Sequence, residues 1–209
     1  MVSRLAALSV CAVLLAAPAA SAKTVKWGSS LKPAADRTVP GVFHADAEFW
    51  NTSLGASTAS HVQRTVKAPV SGRILNVKLK TGDDARDVFV RFSVIKPLSD
   101  GRFQVMTTST PHLLLRAHRP GVHTFDFGRL QFKMPINKGM YLAISTPGVE
   151  PSDAVWYGSA SGASVQSFTS KGATQNPGFV WNGTAHSSTE LLMQVTEQKG
   201  KPYHFHLPH

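Results

Sequence analysis

Leu75-Asn76-Val77-Lys78-Leu79-Lys80, then Thr81-Gly82-Asp83-Asp84, then Val88-Phe89-Val90-Arg91-Phe92-Ser93-Val94 is the stretch that decides the fold. Apolar residues recur at every second position with polar ones between them. That period sends alternate side chains to opposite faces of an extended chain, as a half-buried strand requires. Thr81 to Asp84 supplies the turn residues between the two runs. β-branched and aromatic residues dominate the second run, as on a pleated, half-buried surface.

The same alternation extends outward in both directions. Pro97-Leu98-Ser99-Asp100-Gly101 punctuates the chain before Phe103-Gln104-Val105. Val122 to Phe127 alternates again, Asn137-Lys138-Gly139 reads as a turn, and Tyr141 to Ile144 and Leu191 to Thr196 read as strands. No window of helical length keeps i, i+3, i+4 spacing free of Gly or Pro. Seven or more short strands without crossover helices predict an all-β, antiparallel two-sheet sandwich, jelly-roll-like, over residues 42–198. Residues 23–41 read as an N-terminal arm with one strand near Val25–Trp27. Residues 158–178 read as loops around a short strand at Ser164–Phe168, and residues 199–209 as an irregular, His-containing tail.

Before this domain, Arg4 precedes an apolar run from Leu5 to Ala17, followed by Pro18 and the small residues Ala20-Ser21-Ala22. These are the parts of a secretory signal peptide over residues 1–22, and the apolar run is shorter than the roughly 20 residues that span a bilayer. The expected address is extracytoplasmic, with no transmembrane segment after cleavage. Cys11 is the one cysteine in 209 residues, so cleavage leaves no disulfide, thiolate metal site or Cys nucleophile. Stability must then come from an ample apolar core.

Four segments in a fixed order carry a resemblance. They are Ala45-Asp46-Ala47-Glu48-Phe49-Trp50-Asn51, Ala68-Pro69-Val70-Ser71-Gly72-Arg73-Ile74, Gly121-Val122-His123-Thr124-Phe125 and Ile136-Asn137-Lys138-Gly139-Met140-Tyr141-Leu142. The order resembles a loose group of secreted β-sandwich proteins of high-GC Gram-positive bacteria (actinobacteria), with Met140 standing where that group has Asp. The resemblance implies a fold and an address. The group has no assigned activity, so it passes on no functional residues.

Candidate chemistry is thin. The formal net charge is +10, from 22 Lys and Arg against 12 Asp and Glu. Such a surplus suits an anionic partner, here envelope polysaccharide or another anionic surface polymer. There is no basic run or aromatic-interleaved nucleic-acid motif, and nucleic acid is not expected. Lys on the wet face of a sheet also discourages edge-to-edge pairing.

Trp156, Tyr157, Trp181 and Asn182 flank Gly/Ser-rich segments and form a candidate aromatic platform for sugar rings, although most sandwich tryptophans are core. His204, His206 and His209 offer imidazoles to Zn²⁺, or read as a solvated terminus without an acidic partner. Asp83, Asp84 and Asp87 offer oxygens to Ca²⁺, or make Asx turns. The spacing is not that of an EF-hand, so no cofactor is expected.

No catalytic residue is assigned. Ser29-Ser30-Leu31-Lys32 lies in the arm, Gly158-Ser159-Ala160-Ser161-Gly162 has Ala160 where a nucleophile belongs, and the histidines do not form H-E-x-x-H. Glu48, Glu150, Glu190 and Glu197 are the only glutamates, and counting does not select a hydrolytic pair. The expected function is a secreted, non-catalytic binding or structural module. A carbohydrate-binding module and a hydrolase with a carboxylate or metal site are the alternatives. Oligomeric state does not follow from the sequence.

Overall fold

The structure, a computed structural model, describes residues 23–37, 47–55, 64–83, 86–109, 113–129, 133–147, 156–168 and 177–207. Residues 1–22, where a signal peptide is expected, Asp84 and His209 lie outside the described residues. Thirteen strands follow one another: β1 (Thr24–Gly28), β2 (Glu48–Ser53), β3 (Gly72–Thr81), β4 (Val88–Pro97), β5 (Phe103–Thr108), β6 (Leu113–Leu115), β7 (Gly121–Asp126), β8 (Met134–Ile136), β9 (Tyr141–Ser145), β10 (Tyr157–Phe168), β11 (Val180–Trp181), β12 (Thr184–Leu191) and β13 (Met193–Lys199).

They form two antiparallel sheets that do not close into a barrel. One runs β1-β13-β3-β7, with β8 also on β3; the other runs β11-β5-β4-β9-β2-β10-β12, with β6 on β4. Leaving aside the additions β6, β10, β11 and β12, the pairings are nested: β1 takes β13, β2 takes β9, β3 takes β7 and β8, and β4 takes β5. That is a single long hairpin rolled up so that its two arms alternate between sheets, the jelly-roll order.

Period two explains the layers. Val77 and Leu79 on β3, Phe92 and Val94 on β4, and Phe49 on β2 point between the sheets into the main core. There Phe92 meets Phe125 and Phe127 edge-on at 5.3 and 5.7 Å. Trp50, next to Phe49, points the opposite way into a smaller cluster with Ile95, Phe103 and Tyr141. The second sheet is thus buried on both faces over β2, β4 and β9.

Three readings of the sequence change. The strand expected near Val25–Trp27 is present, but it is part of the sandwich and not of an arm leading to it: β1 pairs with β13 from Thr24↔Gln198 to Gly28↔Gln194, and Trp27 enters the main core. The short strand expected at Ser164–Phe168 is present but begins earlier, at Tyr157, so that residues 158–163 are strand and not loop; residues 169–176 lie outside the described residues. This twelve-residue β10 pairs with both β2 and β12 and is bulged between Ser159 and Ser164. Its Gly, Ser and Ala residues hide the alternation, and pairing on both sides supplies what side chains do not. The tail from Gly200 to Leu207 has no regular structure, as expected, but it is docked, with Phe205 and Leu207 packed against the main core.

Candidate functional site

At one end of the sandwich, two of the sequence signatures meet. The N–H of Ala68 donates to Met140 O (2.8 Å), and that of Gly139 to Ala68 O (2.9 Å). Lys138 N–H donates to Ser71 Oγ (3.0 Å), tying the Ala68–Gly72 turn to the Asn137–Gly139 turn. Gly139 has φ +87°, the left-handed region that glycine enters without a Cβ clash.

The C-terminal segment crosses this end. Gly200 N–H donates to Ser71 O (2.9 Å) and closes β13. A Cβ on Gly72 would overlap the carbonyl oxygen of Gln198, so the close approach of β3 to β13 there requires glycine. Farther on, Asn137 clamps the backbone of Tyr203: its Nδ2 donates to Tyr203 O (2.8 Å) and its Oδ1 accepts from Tyr203 N (2.7 Å). Extended backbone then alternates its side chains. Tyr203 and Phe205 meet edge-on at 4.9 Å, and His204 and His206 at 5.3 Å.

Two hollows open on either side of Tyr203, which is 50% exposed. One, of about 270 Å³, is lined by Gly72, Arg73, Lys133, Pro135, Lys201 and Tyr203. The other, of about 300 Å³, shares Lys133, Pro135 and Tyr203 and adds Thr107, Thr108 and His206 among its walls. The shared Pro135 sits beside Arg73 because β8 pairs with β3 in that register. Arg73 is held by its Nε, which donates to Gln198 Oε1 (2.6 Å). Among the described residues no Asp or Glu lines either hollow. The described lining is a groove with three Lys or Arg side chains, one histidine and an exposed phenol ring.

The residues singled out in the sequence do not assemble there. Trp156 and Tyr157 are each 1% exposed and belong to the main core, so neither can stack on a sugar. Burial also pushes the Tyr157 phenol well above its ordinary range. This corrects the aromatic platform: Asn182 is exposed, the side chain of Trp181 lies outside the described residues, and nearby Phe179 is 42% exposed. Asp83 and Asp87 face different partners. Asp83 meets His118 Nδ1 at 2.8 Å. Asp87 accepts from Ala117 N–H (2.8 Å) and Arg116 Nη1 (2.7 Å), which lower its pKa. Among the described residues no three His, Cys, Asp or Glu side chains converge as a metal would need. Of the two described tail histidines, His206 lines the groove and His204 does not, while His209 lies outside the described residues.

The described glutamates are all buried, a feature that sequence reasoning missed. Glu48 Oε1 accepts from Ser93 Oγ (2.5 Å), and burial pushes its pKa up to about 7, against the Ser93 bond and Arg91. Glu197 Oε2 accepts from Trp27 Nε1 (3.0 Å), and burial again pushes the pKa up to about 7. Glu190 accepts from Gly55 N–H (2.9 Å), with Arg64 at 3.9 Å. No hydrogen bond joins two of these carboxylates among the described residues. Ser167 Oγ lies 2.7 Å from His186 Nε2, a nucleophile–base spacing, but Ser167 is 1% exposed on a strand paired on both sides.

Of the groove residues, Lys133 and the tail were visible as charge and aromatic content, but nothing in the sequence joined them to Arg73. The register of β3 with β8 and the Asn137–Tyr203 clamp do that. Comparisons with protein-family models, with curated proteins and with solved structures found no match.

Proposed function

We propose that this chain is an exported, non-catalytic β-sandwich module that binds an anionic polymer of the cell envelope along the groove beneath its C-terminal segment. The observation that carries the reading is the groove itself: Arg73, Lys133 and Lys201 around a concave floor, with Tyr203 exposed and no acidic side chain among the described residues of the walls. Like charges gathered around a concave surface focus a positive potential that draws anions at low salt. A hollow of this size sits at the small end of ligand sites, which suits one or two repeat units of a chain that continues into solvent. The leader-like residues 1–22 support delivery outside the cytosol.

The test is co-sedimentation of the purified protein with insoluble polygalacturonate and with neutral cellulose. Retention on the anionic polymer is expected at low salt, with release at about 1 M salt, where charges more than roughly 3 Å apart are screened. Equal retention on both polymers, or retention unaffected by salt, would remove charge as the basis of binding.

A further inference from the structure

We infer that the anion this groove selects is the phosphodiester of a polyol-phosphate chain, in preference to a sugar carboxylate; the inference rests on the anionic-polymer reading and names its ligand class. An Arg fork holds carboxylate and phosphate alike, so the choice between them falls to the other cations and the rest of the lining. The side edge of the Arg73 guanidinium, which includes Nε, is already given to Gln198. The other two cations, Lys133 and Lys201, are lysines, compact point charges with no preferred plane. Two such point charges in one hollow suit a phosphodiester, whose single negative charge is shared by two non-bridging oxygens that face different directions.

The rest of the lining points the same way. Among the described residues, the hollow with the three cations contains no Asn, Gln, Asp or Glu side chain, the groups that usually pair with sugar-ring hydroxyls. Its floor is the Pro135 ring and the Gly72 backbone, against which a short aliphatic spacer can lie. Thr107, Thr108 and His206 stand across Tyr203 in the neighbouring hollow, where they can bond the hydroxyl of the next unit. Because the two hollows share Lys133, Pro135 and Tyr203, a ligand filling both is a repeating chain.

The probes are poly(glycerol phosphate), polygalacturonate of equal charge number, a single-stranded oligonucleotide of equal phosphate number, and inorganic phosphate, each titrated calorimetrically into the full chain at low salt. Poly(glycerol phosphate) is expected to bind at least about tenfold more tightly than each of the others. Lys133→Ala and Lys201→Ala are each expected to weaken it by up to about fivefold, the upper range for one exposed charge pair. Tyr203→Ala should weaken the polymer while leaving inorganic phosphate unchanged. Unchanged urea midpoints for these exposed positions show that the variants are folded.

Equal affinity for polygalacturonate would overturn the phosphate inference and leave the anionic-polymer reading standing. Failure of both polymers to bind would overturn both. Equal affinity for the oligonucleotide would overturn the polyol spacer, and equal affinity for inorganic phosphate would overturn the polymeric ligand.

Discussion

Replacing Glu48 by Gln tests how this fold carries its buried carboxylates. Glu48 is 0% exposed, and its Oε2 has no hydrogen-bond partner among the described residues. Burial raises its pKa from 4.5 to about 7, because the charged form loses its hydration and recovers only part of it from Ser93 and Arg91. Between those two values the folded chain keeps a proton that the unfolded chain has released, so stability falls as pH rises across the window. At about 1.4 kcal/mol per pKa unit, the charged form costs on the order of 3 kcal/mol above pH 7 and nothing below pH 4.5. Gln resembles the protonated acid: it accepts from Ser93 and cannot ionise. With a urea m-value of about 2 kcal/mol/M, Glu48→Gln should raise the midpoint by roughly 1.5 M at about pH 8 and leave it nearly unchanged at about pH 4. Equal midpoint shifts at both pH values would refute the reasoning, as would a wild-type stability that does not fall as pH rises.

Three further outcomes are expected. Asn137→Ala removes both bonds to the Tyr203 backbone. It should speed amide exchange over residues 203–207 and lower stability by about 1–2 kcal/mol. Phe92→Ala deletes a ring in edge contact with Phe125 and Phe127; a loss of about 3–5 kcal/mol by denaturant titration is expected. Gly72→Ala places a methyl against the Gln198 carbonyl. It should lower the thermal midpoint and disturb the Tyr203 groove, read as weaker retention on polygalacturonate.

The fold was legible where one face of a strand is wet. β3 and β7 alternate in sequence because the first sheet buries one side, and the turns at Gly101 and Gly139 announce themselves by residue type. β10 was not legible: Gly158 to Gly162 carries no apolar alternation, and its strand character comes from neighbours far away in sequence. Trp156 and Tyr157 were misplaced because their flanking Gly and Ser residues look like loop, whereas exposure is decided by Phe49 and the opposite sheet. The groove was hidden for a related reason. Arg73, Lys133 and Lys201 are unremarkable surface cations until strand register and the tail set them around one hollow.

The pairing of β1 with β13 also governs when this protein can fold. Trp27 finds its Glu197 partner 170 residues later, and the opening strand has no other neighbour in its sheet. During synthesis β1 therefore waits without its sheet partner until β13 has left the ribosome. A chain wired in this way pays its longest loop closure last, and the first sheet is complete only when its two most distant strands meet.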